Sequence, residues 1–145
     1  MSRIVALDVG DATIGVAATD ELIIAAHPVR AIRRSGSIKA DLAEVESLLR
    51  ELDASAVIVG LPLDVQGEEG AQAKKVREFS DRLAKRLRVP VVTWDERFST
   101  VEAERLLLET DASRARRRKV IDSAAAAVIL ESYLREKGRL SQAEP

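Results

Sequence analysis

Ala56-Val57-Ile58-Val59-Gly60 carries no polar side chain on either of the two faces that an extended chain presents. A strand of this kind must be covered on both sides, which places it inside a sheet with helices packed above and below. Its surroundings agree. Ser37 or a neighbour can cap a predicted helix running to about Leu52, with Leu42, Val45, Leu48, Leu49 and Leu52 on one face. Past the loop from Leu61 to Gly70, a second predicted helix covers Ala71 to Leu87, with Val76, Phe79, Leu83 and Leu87 at helical spacing. Pro90 to Trp94 then reads as another strand, so helical crossovers join this half of the chain.

The N-terminal part has a different rhythm. Ile4 to Val9 is a short apolar strand ended by Gly10, and Thr13 to Thr19 is a second one across the turn-like Gly10-Asp11-Ala12. So short a connection favours an antiparallel hairpin. Leu22 to Ile32 supplies a third strand, interrupted near Pro28. Further helices are expected over Thr100 to Glu109 and Asp122 to Lys137, with a frayed, disordered tail from Gly138 to Pro145. The order β-β-β-α-β-α-β-α-α predicts an α/β fold in one domain, residues 1–137. Its sheet is mixed and five-stranded, three antiparallel strands followed by two parallel ones, flanked by helices.

The 145 residues hold no cysteine, which removes thiolate zinc sites, cysteine nucleophiles and disulfides. The single histidine, His27, excludes a multi-histidine metal site and reads as structural. Asp8 and Asp11 interrupt the N-terminal apolar stretch, so no secretory signal is visible, and no apolar run is long enough to span a bilayer. A cytoplasmic protein with no membrane partner is the expectation. The formal net charge of -1 means that nucleic-acid binding would need a local basic patch. Four aromatic residues are too few for base stacking to dominate it.

Three acids stand where core-forming elements should not want them. Asp8 ends the run Ile4-Val5-Ala6-Leu7, Glu96 closes Val91-Val92-Thr93-Trp94-Asp95, and Asp122 opens the stretch Ala124 to Ala127. Each has a plain alternative: Asp8 can cap the Gly10 turn, Glu96 can pair with Arg97 or cap a following helix, and Asp122 can be an N-cap. Brought together by the fold, they would repel one another and lose hydration unless a cation neutralised them. That suggests a divalent metal site and nucleotide chemistry. Asp64, in the loop after the apolar strand, could be a fourth acid. Arg114, Arg116, Arg117, Arg118 and Lys119 directly precede Asp122. A solvated loop is the ordinary explanation of such a run, but beside an acidic site it could hold phosphates. Arg30, Arg33, Arg34 and Lys39 form a looser basic region.

Leu7-Asp8-Val9-Gly10 with Ile14-Gly15-Val16-Ala17, then Gly60-Leu61-Pro62-Leu63, Asp95-Glu96-Arg97-Phe98-Ser99-Thr100 and Lys119-Val120-Ile121-Asp122 resemble the YqgF (RuvX) family from Ile4 to about Leu134. The resemblance implies a ribonuclease H-like fold and a metal-dependent endonuclease. The implied role is either 5′-end processing of pre-16S rRNA in ribosome biogenesis or, as an alternative, resolution of Holliday junctions in branched DNA. It implies Asp8, Glu96 and Asp122 as catalytic metal ligands for Mg2+ or Mn2+, two ions in all, with Arg97 and Lys119 as basic neighbours on the nucleic acid. Val9, Ala12, Thr13 and Asp64 depart from the family's usual residues. Asp64 stands where an asparagine is usual, and as an acid it could join the metal shell. Resolving a four-way junction needs two symmetric nicks and hence a homodimer, whereas trimming an RNA does not. Two other classes stay open: a non-catalytic RNA-binding module of ribosome assembly, and an ATP-dependent phosphotransferase of the actin and sugar-kinase type. The second needs two lobes where this chain supplies one.

Overall fold

The computed structural model describes residues 2–23, 25–96 and 114–143, except for the side chains of 114–122 and 138–143. Its elements are β1 (Arg3–Val9), β2 (Thr13–Thr19), β3 (Ala26–Arg33), α1 (Ile38–Glu51), β4 (Ala54–Leu61), α2 (Ala71–Arg86), β5 (Val91–Asp95) and α3 (Arg114–Ala143). The strands form one sheet in the order β3-β2-β1-β4-β5. β1 pairs antiparallel with β2, and β2 with β3, while β1–β4 and β4–β5 are parallel. This is the mixed five-stranded sheet that the strand spacing predicts.

Alternation along the strands divides the core into two layers. Val5, Leu7, Val9, Val57, Val59 and Leu61 face α1 and α2, where they meet Leu42, Val45, Val76, Phe79 and Leu83. Ala6, Ala17 and Ile58 face α3, against Ala125, Ala126, Ile129, Leu130 and Tyr133. Alanines on this face of both the sheet (Ala6, Ala17) and the helix (Ala125, Ala126) let the α3 backbone come close over the strands. Ser37 caps α1 as expected, its hydroxyl accepting from the Ala40 N–H at 3.2 Å.

Three boundaries differ from expectation. β3 starts at Ala26, because Leu22 and Ile23 lie in a turn in which Leu22 is 75 % exposed and Ile23 takes a φ of 57°. Asp122 does not open the last helix: α3 starts at Arg114, so the basic run is helical and not a loop. Arginine, lysine and alanine are strong helix formers, and no glycine or proline interrupts 114–137. The helix also runs on to Ala143, past the expected end at Lys137 and through most of the segment read as a frayed tail. A single glycine, Gly138, weakens a helix without having to stop it. The helix expected over Thr100 to Glu109 lies outside the described residues. No helix among the described residues is long and apolar enough to cross a membrane.

Candidate functional site

β1, β4 and β5 run parallel, so their C-terminal ends share one edge of the sheet. Open α/β sheets usually build their sites at such an edge. Asp8 belongs to the α3 face of β1, in step with Ala6, and is only 5 % exposed. Its antiparallel partner on β2 is Gly15. On the other side, the β1–β4 register brings Leu7 opposite Val59, so the next residue of β4, Gly60, lies beside Asp8. The acid is thus flanked by two residues that have no side chain.

Glu96 follows β5 directly and is also 5 % exposed. A methyl group added at Gly60 would lie 2.8 Å from Glu96 Oε1 and 3.2 Å from Glu96 Cγ, as well as 2.5 Å from Ile129 Cδ1. The Glu96 side chain therefore occupies the space that glycine leaves on β4, the strand next to the one carrying Asp8. Two carboxylates buried on one face of the sheet need compensation, since burial alone makes each charge costly. Their oxygens are the hard donors that Mg2+ and Mn2+ favour. The donor chemistry and the glycine cradle fit a divalent cation.

Asp122 lies eight residues into α3 and seven before Ile129, the residue that abuts Gly60. Seven residues are close to two helical turns, so position 122 falls on the same helix row as Ile129, displaced toward the N-terminal end. It is not an N-cap. Its side chain, like those of Arg114, Arg116, Arg117, Arg118 and Lys119, lies outside the described residues, and so does Arg97 entirely. Among the described residues, no three His, Cys, Asp or Glu side chains gather as a metal site. Asp64 accordingly does not complete one with Asp8 and Glu96. It is exposed and organises its own loop, Oδ1 accepting from the Gln66 N–H at 3.0 Å and the Glu68 N–H at 2.9 Å.

The looser basic region divides. Arg30 and Arg33 stand exposed on β3, as does His27. Arg34 is instead half-buried and tied inward: its Nε donates to Asp41 Oδ2 at 3.0 Å and its Nη1 to the Gly10 carbonyl at 2.9 Å. Asp41, 1 % exposed, also accepts at Oδ1 from the Ser35 N–H and the Ser35 hydroxyl, each at 2.9 Å. Burial pushes the Asp41 carboxyl up. The Ser35 and Arg34 hydrogen bonds and the Arg34 charge outweigh it, holding the group below its usual range. Sequence reasoning missed Asp41 because an aspartate in a first helical turn is ordinary, and it took Arg34 for a surface cation. It also missed Gly60 as a cradle, although a glycine closing a fully apolar strand is the signal that could have marked it.

Comparison with known proteins adds the family. The family model described as "RuvX: Holliday junction resolvase" matches residues 2–136. A protein of Symbiobacterium thermophilum named "Putative pre-16S rRNA nuclease" is 51 % identical over 132 residues, covering 91 % of each chain. One of the same name from Myxococcus xanthus is 49 % identical over 132 residues, covering 91 % of this chain and 87 % of its own. Among solved structures, Thermus thermophilus RuvC in complex with a Holliday junction substrate superposes with a TM-score of 0.58 at 18 % identity, covering 94 % of this chain and 97 % of that one. That likeness establishes the ribonuclease H-like fold. With a match across nearly its whole length and relatives at about half identity, the chain belongs to the RuvX family.

Proposed function

We propose that this protein is a divalent-metal-dependent endonuclease that hydrolyses phosphodiester bonds in structured nucleic acid, with the 5′ end of pre-16S rRNA as its substrate. The observation that carries the reading is the pair of buried carboxylates, Asp8 and Glu96, gathered around Gly60 at the strand-end edge of a RuvX-family chain. The names of the relatives supply the substrate. Processing of ribosomal RNA would take place in the cytoplasm.

Asp8 and Glu96 would hold the cation, with Asp122 completing the set from α3. Bound Mg2+ or Mn2+, as two ions, would supply Lewis acidity and an activated water. Asp8, held within β1, and Glu96, just past β5, would be in place before substrate arrives, which would limit reorganisation at the reacting phosphate. Lys119 and the arginines of α3, together with Arg97, would neutralise the backbone phosphates of the strand being cut. Their clustering at the start of a helix opposes the helix dipole, and a phosphate at that end would offset both charges.

Asp8→Asn should retain the wild-type circular dichroism spectrum and melting temperature while losing cleavage of precursor rRNA by at least 100-fold in Mg2+ or Mn2+. A variant that still cleaves at the wild-type rate sinks the mechanism. The second reading, junction resolution by a homodimer, is favoured by the description of the matching family. Four-way DNA junctions belong in the same assay: paired symmetric nicks there, with precursor rRNA left intact, would replace the first reading with the second.

A further inference from the structure

We propose that Arg34 is a positioning residue that holds the turn after β1, and through it Asp8, in the geometry required to bind a divalent cation; this rests on the metal-site reading above. Arg34 does not belong to the candidate site. Its partners are Asp41 of α1 and Phe79 of α2, whose ring centroid lies 5.3 Å from the guanidinium carbon, on the sheet face opposite α3. From that face its second branch reaches the Gly10 carbonyl at 2.9 Å. Gly10 is two residues beyond Asp8, and its N–H closes the turn onto the Thr13 carbonyl at 2.9 Å. The Arg34 N–H adds a bond to the Ala12 carbonyl at 2.8 Å. One side chain therefore fastens the hairpin turn to both helices of the opposite layer.

Beyond the backbone bonds, the other described side-chain tie to this turn is weak. Lys75 reaches Asp11 at 3.6 Å, but both side chains are largely exposed, and such pairs contribute little. A cavity of about 510 Å³ lies beside the turn, bordered by Asp11, Arg34, Lys75, Phe79 and Arg82, so a released turn has room to move. Asp41 makes the hold rigid. Its carboxylate takes the guanidinium on one oxygen and two Ser35 donors on the other, so Arg34 is anchored to a carboxylate that is itself fixed. A metal ligand must be held to within about 0.5 Å, so slack in the turn two residues past Asp8 would loosen that ligand.

The test compares Arg34→Lys with wild type. Lysine keeps the cation but lacks the planar fork that serves Asp41 and Gly10 together. Two readouts do not depend on cleavage: calorimetric titration with Mn2+ alone, and hydrogen exchange of the peptide spanning residues 5–16. Arg34→Lys should remain folded, exchange faster across 9–13 and bind Mn2+ at least fivefold more weakly. Arg34→Met should lose more on both. Leu48→Ala, a buried site of α1 that borders Arg3 and Thr19 at the other end of the hairpin, lowers stability without touching the fork and should bind Mn2+ as wild type does. Wild-type exchange or wild-type Mn2+ affinity in Arg34→Lys overturns the proposal, as does an equal loss in Leu48→Ala. Should wild type itself bind no Mn2+, the metal reading fails, and the exchange comparison still decides whether Arg34 secures the turn.

Discussion

Asp41 is charged where burial would prefer it neutral, and its depressed pKa makes it a contributor to stability that depends on pH. The sign follows from the direction. A carboxyl held below its unfolded value stabilises the fold fully above the usual aspartate pKa of about 4, and loses that contribution as the pH falls through the lowered value. Asp41→Asn should therefore unfold at lower urea than wild type at about pH 6, with the gap narrowing toward about pH 3. A gap that stays constant across that range would show that the Asp41 charge is not what Arg34 and Ser35 stabilise. At the same scale, the buried Asp8 is conspicuous in the sequence as a lone acid ending an apolar run, and Glu96 as one of two adjacent acids closing a strand. Gly60 and the Arg34 fork are not. Their meaning lies in partners distant along the chain, 24 residues away for the Arg34 bond to Gly10.

Between elements, the contact that matters for the site is the one from β5 to α3. Trp94 Nε1 donates to Ser132 Oγ at 3.1 Å, and the Trp94 and Tyr133 rings meet edge to face at 5.4 Å between centroids. Trp94 precedes Glu96 by two residues and shares its face of the sheet, so this tie sets the distance between β5 and the helix that carries Asp122. Trp94→Phe keeps most of the packing but strips the donor from a buried serine, and should cost about 1–2 kcal/mol by urea unfolding. A change below the error of that measurement would show the bond to be dispensable. Apolar stripes made α1, α2 and β4 readable, because periodicity is local to each segment. The start of α3 was misread because an aspartate before a run of alanines looks like a cap, while clustered cations look like a loop. Helix propensity decides the other way. Leu22 and Ile23 misled for the converse reason, being apolar residues in an exposed turn.

For the molecule as a whole, the net charge of -1 conceals a strong asymmetry, with five cations in the six residues from Arg114 to Lys119 at the start of α3. Binding to nucleic acid should therefore be governed by this segment and not by the mean charge. For the Asp8→Asn protein on labelled precursor rRNA, the logarithm of affinity should fall linearly with the logarithm of salt concentration. Arg116→Ala should flatten that slope by about 1 while weakening all sequences alike. A slope unchanged by loss of Arg116 would move the phosphate contacts elsewhere. The topology has one more consequence. β1 stands at the centre of the sheet but is made first, whereas β5 and α3 come from the later part of the chain. Glu96 and α3 follow Asp8 in the chain, so a growing polypeptide can fold its hairpin before the later acids exist to join it. On the proposed mechanism, a nascent chain carries no cutting centre before α3 has been made, so the order of the elements itself delays activity.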